Sequence, residues 1–202
     1  MSIQIGVDYY PEQWPEQMWE QDADRMKECG VKVVRMAEFA WSRMEPEEGI
    51  YDFEWLDRAV SVFADRRMQV VLCTPTCTPP LWVFEKYPEI IQVGPDGHRI
   101  AIGIRGHRCM NSPVYRTLCE KIIRQLVSRY RDNPAVIGYQ IDNELEANHC
   151  RCQVCQDSFQ NWMRRKYRNV QEVNTAYGNS VWSGEYSSFS QVKPPMGDFI
   201  KW

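Results

Sequence analysis

Hydrophobic positions in this chain fall into two patterns that take turns: short apolar runs, and stretches with apolar residues at helical spacing. Ile3 to Val7 reads as a strand ending in the polar and aromatic run Asp8-Tyr9-Tyr10. Trp19, Ala23 and Met26 then recur on one helical face, and Gly30 stands where a helix C-terminus takes a left-handed residue. Val31 to Met36 is a second, valine-rich strand, followed by an amphipathic helix through Leu56, Val60 and Phe63 with Asp52 as its expected N-cap. Gln69 to Cys73 makes a third strand. An excursion follows, with Thr78-Pro79-Pro80, a short aromatic helix around Trp82 and Phe84, and the turn Gly94-Pro95-Asp96-Gly97. Ser112 and Pro113 fit the N-cap and first residue of a long helix carrying Leu118, Ile122 and Leu126. Ala135 to Ile141 is the fourth strand, and weaker helices are expected at 159–167 and 170–177.

Four β-then-α units in succession argue for a parallel α/β sheet. A doubly wound sheet and a (β/α)8 barrel look alike at this level, and both bind ligands just beyond the strand ends. No Gly-x-Gly-x-x-Gly follows the first strand, which weakens a dinucleotide reading. A closed (β/α)8 barrel takes about 250 residues. A chain of 202 residues with four units is therefore expected to hold roughly its first half.

With 44% hydrophobic residues and a formal net charge of −3, the composition is globular and gives no reason to expect a nucleic-acid partner. The short basic run Arg164-Arg165-Lys166 reads as a solvated helix face. The N-terminal residues lack the pattern of a signal peptide, and no apolar run approaches the roughly 20 residues that cross a bilayer. The expectation is a soluble, cytoplasmic protein without a membrane partner.

Eight cysteines change this picture. Cys29, Cys73, Cys77 and Cys119 are scattered and suit free thiols in a reducing compartment. Cys150, Cys152 and Cys155 are too tightly spaced for ordinary packing, and Cys109 ends the preceding excursion. Four thiolates suit a closed, structural tetrahedral Zn²⁺ site. His149 is adjacent and could displace one of them; the four cysteines are preferred. The other chemical signal is Asp142-Asn143-Glu144, at the end of the fourth strand. Glycoside hydrolysis needs one carboxylic acid to protonate the leaving oxygen and a second carboxylate to attack or to activate water. Read without context, Asp142 and Glu144 are better explained as strand-end charges facing solvent.

Context comes from a resemblance. Asp8-Tyr9-Tyr10-Pro11-Glu12-Gln13-Trp14, Arg35-Met36-Ala37-Glu38-Phe39-Ala40-Trp41, Trp82, Arg105 four residues before Cys109, and Asn143-Glu144 occur in the order seen in retaining β-galactosidases of glycoside hydrolase family 42. The resemblance covers nearly the whole chain. It implies that residues 1–202 form the N-terminal part of a (β/α)8 catalytic domain. It further implies that Glu144 is the acid/base, that Arg105 and Asn143 bind galactose hydroxyls, and that Cys109, Cys150, Cys152 and Cys155 hold the family's zinc. Members are commonly trimers, so a homo-oligomer acting on β-galactosides is expected. Arg35 and Glu38 would lie at the site floor, with a structural salt bridge equally expected. Tyr9, Trp14 and Trp41 line a pocket or, slightly more readily, belong to the core. In the family the nucleophile is a Glu at the end of the seventh strand. Nothing after Glu144 resembles it, and Glu172 and Glu185 look like surface charges. The 202-residue chain alone is therefore expected to show little or no hydrolysis, and its two unpaired sheet edges invite self-association. Two other readings are a different retaining β-glycosidase of the same clan and a zinc-stabilised galactoside-binding module without catalysis.

Overall fold

A computed structural model describes residues 3–103, 106–144 and 150–195. These residues form two compact units, one built from 3–88, 106 and 117–144, the other from 89–103, 107–116 and 150–195.

The first unit is built on a four-stranded sheet: β1 (Ile5–Asp8), β2 (Val31–Met36), β3 (Gln69–Cys73) and β4 (Val136–Gln140). All neighbours pair in parallel, and their spatial order follows the chain, β1-β2-β3-β4. That order separates the two architectures left open by the β-α periodicity, and it agrees with the barrel that the resemblance implies. A doubly wound sheet reverses direction at a switch point, whereas a barrel adds each new strand on the same side of the last. The arrangement is the first half of a (β/α)8 barrel, and four further strands would pair at the outer edges of β1 and β4. Both strands carry apolar side chains in the open: Ile5 of β1 is 53% exposed and Ile137 of β4 50%.

Helices α1 (Glu16–Glu28) and α3 (Glu54–Asp65) cover the sheet, α1 packing on β2 and α3, and α3 on β3. The apolar stripe read from the sequence is what they bury: Trp19 and Ala23 from α1, and Leu56, Val60 and Phe63 from α3, against Val34, Val70 and Leu72 of the strands. Each large apolar side chain so buried stabilises the unit by about 1.5–3 kcal/mol. Gly30 ends α1 with φ +81°, a left-handed conformation that costs glycine nothing. Asp52 acts one residue earlier than expected. Phe53 occupies the N-cap position of α3, while the Asp52 carboxylate accepts from the Glu54 N–H at 2.9 Å. Strand ends shift by one or two residues from the sequence reading, as ends do when hydrogen bonds rather than hydrophobicity define them.

Two short helices complete the rim of the first unit, α2 (Trp41–Met44) and α4 (Leu81–Lys86). Glu45, only 1% exposed, accepts from the Trp41 indole at 2.7 Å and from Gly49 N–H at 2.9 Å, and its carbonyl accepts from the Trp82 indole at 3.0 Å. One buried carboxylate thus fixes the loop after β2 and, through its backbone, the aromatic helix after β3. Helix α5 (Pro113–Tyr130) begins as the sequence suggests, with Ser112 Oγ accepting from Tyr115 N–H.

In the second unit, α6 (Gln153–Lys166) and α7 (Val170–Tyr177) enclose a small core of Met163, Val173 and Val192. Helix α6 starts six residues earlier than read from the sequence, directly from the cysteine cluster. Glu172 is a capping residue as well as a surface charge. Asn169 Oδ1 accepts from Glu172 N–H, and the Glu172 carboxylate reaches back to Arg168 N–H at 3.0 Å. Among the described residues no helix is long and apolar enough to cross a membrane.

Candidate functional site

The C-terminal ends of β2 and β4 meet in a network of charged and polar groups. Arg35, at the end of β2, reaches Asp8 of β1 through Nε at 2.9 Å and Nη2 at 2.7 Å. It also donates to Glu38 at 3.1 Å and to the Gln140 amide oxygen on β4. Glu38 is 2% exposed and accepts four donors: two from Arg35, the Tyr10 hydroxyl at 2.6 Å and Gln140 Nε2 at 3.1 Å. Burial works against the Arg35 charge, but Asp8 and Glu38 more than offset it and hold the guanidinium protonated. Burial, reinforced by Glu38, likewise pushes the Tyr10 hydroxyl well above its ordinary range. The Arg35–Glu38 pair weighed from the sequence is therefore a salt bridge, and it stands at the strand ends where a ligand would bind.

Gln140 carries the network onto the main chain: its Nε2 also donates to the Asp142 carbonyl at 2.8 Å. Three residues without glycine's freedom take left-handed backbones around these strand ends, Ala37 (φ +73°), Asp142 (φ +53°) and Glu144 (φ +44°). Each such residue costs about 1–3 kcal/mol and persists only when surrounding contacts over-determine it. Around Asp142 they do. Its N–H donates to Thr74 Oγ1 at 2.8 Å, its Oδ2 accepts from Thr76 Oγ1 at 2.9 Å, and its Oδ1 accepts from Asn143 N–H at 2.6 Å. Asp142 is 4% exposed, Asn143 half-buried and Glu144 exposed to solvent. A solvent-exposed residue with a carboxylate on an anchored, strained turn is geometry suited to meeting a ligand. Arg105 and His149, both named from the sequence, lie outside the described residues. Tyr9 and Trp41 belong to the core, at 6% and 0% exposure, whereas Trp14 stays 46% exposed.

The second unit brings together all four predicted cysteines. The Sγ atoms of Cys109, Cys150, Cys152 and Cys155 lie within 4.8 Å of one another, and Cys109 sits 3.4 Å from Cys155 and 3.6 Å from Cys152. Sulfurs at the corners of a Zn–S tetrahedron with bonds near 2.3 Å are about 3.8 Å apart. The donor set also suits thiolates. Val93 N–H points at Cys150 Sγ and the Asn111 amide at Cys155 Sγ, both at 3.4 Å. Hydrogen bonding from Cys109, helped by Val93 and Cys152, pulls the Cys150 thiol down to about 4, and Cys109 is raised in return. The residues fit a closed four-thiolate zinc site.

The sequence reading missed Gln140, Thr74, Thr76 and the hydroxyl of Tyr10, all of which act through contacts between segments far apart in the chain. It also passed over Trp182, which is 94% exposed with φ +61°. Its unusual conformation has no signature in the sequence.

Residues 8–198 match the sequence profile of the glycoside hydrolase 42 family, described as β-galactosidase. The chain belongs to this family. It is 56% identical over 195 residues to the β-galactosidase BgaA of Clostridium cellulovorans, a match spanning 96% of this chain and 30% of that protein. Among solved family members, the β-galactosidase of Halorubrum lacusprofundi superposes with a TM-score of 0.89 at 43% identity, covering 96% of this chain and 30% of that one. Gan42B, a family 42 β-galactosidase, superposes at 0.90 with 36% identity, covering 97% and 29%. The chain thus spans about 30% of the length of the relatives it matches.

Proposed function

We propose that this chain supplies the acid/base half of a retaining β-galactosidase site, with Glu144 protonating the departing glycosidic oxygen and then activating water. The observation that carries the reading is the anchored turn at the end of β4, which presents Glu144 to solvent in a family whose relatives are named β-galactosidases. Asn143 and Arg105 are the proposed ligands of galactose hydroxyls. Retention requires a nucleophilic carboxylate about 5–5.5 Å from the acid. The resemblance assigns that group to a seventh strand, so residues 1–202 by themselves are proposed to turn over little or no substrate.

Cys109, Cys150, Cys152 and Cys155 are proposed to hold a structural zinc; when bound, the metal supplies a cross-link and no step of the reaction. Free thiols elsewhere suit a cytoplasmic setting. A homo-oligomer, trimeric in the family, belongs to the same proposal.

The test is hydrolysis of an aryl β-galactoside by the native gene product, parent against Glu144→Gln. A loss of about 10²-fold or more in kcat/KM supports the acid role. Full activity in Glu144→Gln removes it. Clear turnover by the purified 202-residue chain, lost in Glu144→Gln, overturns the proposal that the second carboxylate lies elsewhere.

A further inference from the structure

The structure assigns Asp142 as a positioning residue: its buried carboxylate pins the turn that presents Asn143 and Glu144. This deepens the proposed reading and rests on Glu144 being the acid. Asp142 lies two residues before Glu144, and both carboxylates follow the end of β4. The geometry separates them.

Every polar group of Asp142 is engaged. Its N–H and Oδ2 are tied to Thr74 and Thr76 of the segment following β3, at 2.8 and 2.9 Å. Its carbonyl accepts from Gln140 at 2.8 Å and its Oδ1 from Asn143 N–H at 2.6 Å. A proton-transfer group needs an oxygen within hydrogen-bond reach of the reacting atom. Asp142 is 4% exposed and has both oxygens occupied by internal donors, whereas Glu144 is exposed. A strand continuing past Gln140 would alternate its side chains between faces. The left-handed Asp142 breaks that alternation, and the four hydrogen bonds hold it in a conformation that, glycine aside, Asp and Asn adopt more readily than most residues. Through Gln140, the Arg35–Glu38 pair at the end of β2 braces the same carbonyl.

A rival explanation gives Asp142 an electrostatic role, acting on Glu144 through its charge rather than through the turn. The two differ in what an amide at this position does. In Asp142→Asn, Oδ1 still accepts from Asn143 N–H and Nδ2 donates to a rotated Thr76 hydroxyl, so the turn survives without the charge. Asp142→Ala removes the strut.

The experiment uses the native gene product with two substrates, a phenyl β-galactoside, whose departure needs protonation, and a 2,4-dinitrophenyl β-galactoside, whose departure does not. For Asp142→Ala, kcat/KM is expected to fall about 10²-fold on the phenyl substrate and far less on the dinitrophenyl one, as a displaced acid group predicts. Asp142→Asn is expected to recover most of that loss and to leave the alkaline limb of the pH profile in place. Thr76→Val is expected to show a smaller loss of the same leaving-group dependence, restored by Thr76→Ser, and carries the test if Asp142→Ala fails to fold. The inference is overturned if Asp142→Asn is as impaired as Asp142→Ala, if its alkaline limb moves by a unit or more, or if both substrates lose equally. Glu144→Gln at full phenyl-galactoside activity instead overturns the acid reading itself, and this inference with it.

Discussion

Stripping the four-cysteine cluster is expected to loosen the second unit by a calculable amount. Cys109 and Cys152 are 43 residues apart, and their sulfurs lie 3.6 Å from each other. A bound zinc cross-links that span. Treated as closure of a loop of this length in the unfolded chain, the cross-link is worth about 4 kcal/mol at 25 °C, from −2.1 − 1.5R ln n in entropy. The other two thiolates close much shorter loops and add less. With a urea dependence of about 2 kcal/mol per molar, removing the metal lowers the midpoint by about 2 M. The assay is metal analysis of the purified protein together with urea unfolding followed by tryptophan fluorescence, before and after a chelator under reducing conditions. About one zinc per chain is expected. Cys109→Ser is expected to reproduce the chelator effect, and Cys29→Ser, at an exposed cysteine away from the cluster, to leave metal and midpoint unchanged. Protein that carries no zinc when prepared with the metal present would refute the site. Zinc lost completely with a midpoint shift below about 0.3 M would refute the cross-link reasoning while sparing the site.

Other outcomes follow from particular contacts. Glu45→Ala strands the buried Trp41 indole N–H and Gly49 N–H, and is expected to cost about 2–5 kcal/mol by urea unfolding, with Glu45→Gln recovering at least half. Phe63→Ala empties a fully buried position beside Tyr9, for about 3–5 kcal/mol in the same assay. Arg129 donates to Asp57, as does Tyr130, and these bonds hold the Asp57 carboxyl below its ordinary value of 3.8. Because the folded value is depressed, the contribution is present at neutral pH and fades as pH falls below that ordinary value. Both side chains are more than a third exposed, so its size is kept to about 0–1 kcal/mol by solvent screening. The stability gap between parent and Asp57→Asn is expected to shrink between pH 6 and about pH 3; a gap that widens toward acid contradicts the assignment.

The alternating periods along the chain were enough to place every strand and the main helices, because a buried stripe must recur every 3.6 residues in a helix and a strand's apolar run must fill a covered sheet. Gly30 and the Ser112-Pro113 pair marked their helix ends for equally local reasons, since each answers a backbone requirement of its own position. The cysteine spacing was legible too: three of the four sulfurs are neighbours in sequence, and only Cys109 had to be brought from afar. Glu144 could be named, but its sequence neighbours say nothing of how it is presented.

That presentation belongs to tertiary structure. Strand order, and with it the choice of barrel over doubly wound sheet, depends on which side each crossover takes, and crossover direction leaves no mark on periodicity. Arg35, Glu38 and Gln140 share hydrogen bonds across as many as 105 residues, and Thr76 reaches Asp142 across 66. In the sequence Arg35 and Glu38 stand out only as members of a motif, and Gln140 and Thr76 are unremarkable polar residues at or just past strand ends. They become a single brace only once parallel pairing sets β2, β3 and β4 side by side, because a hydrogen bond depends on distance in space, and hydrophobic periodicity carries no information about distance between segments far apart in the chain.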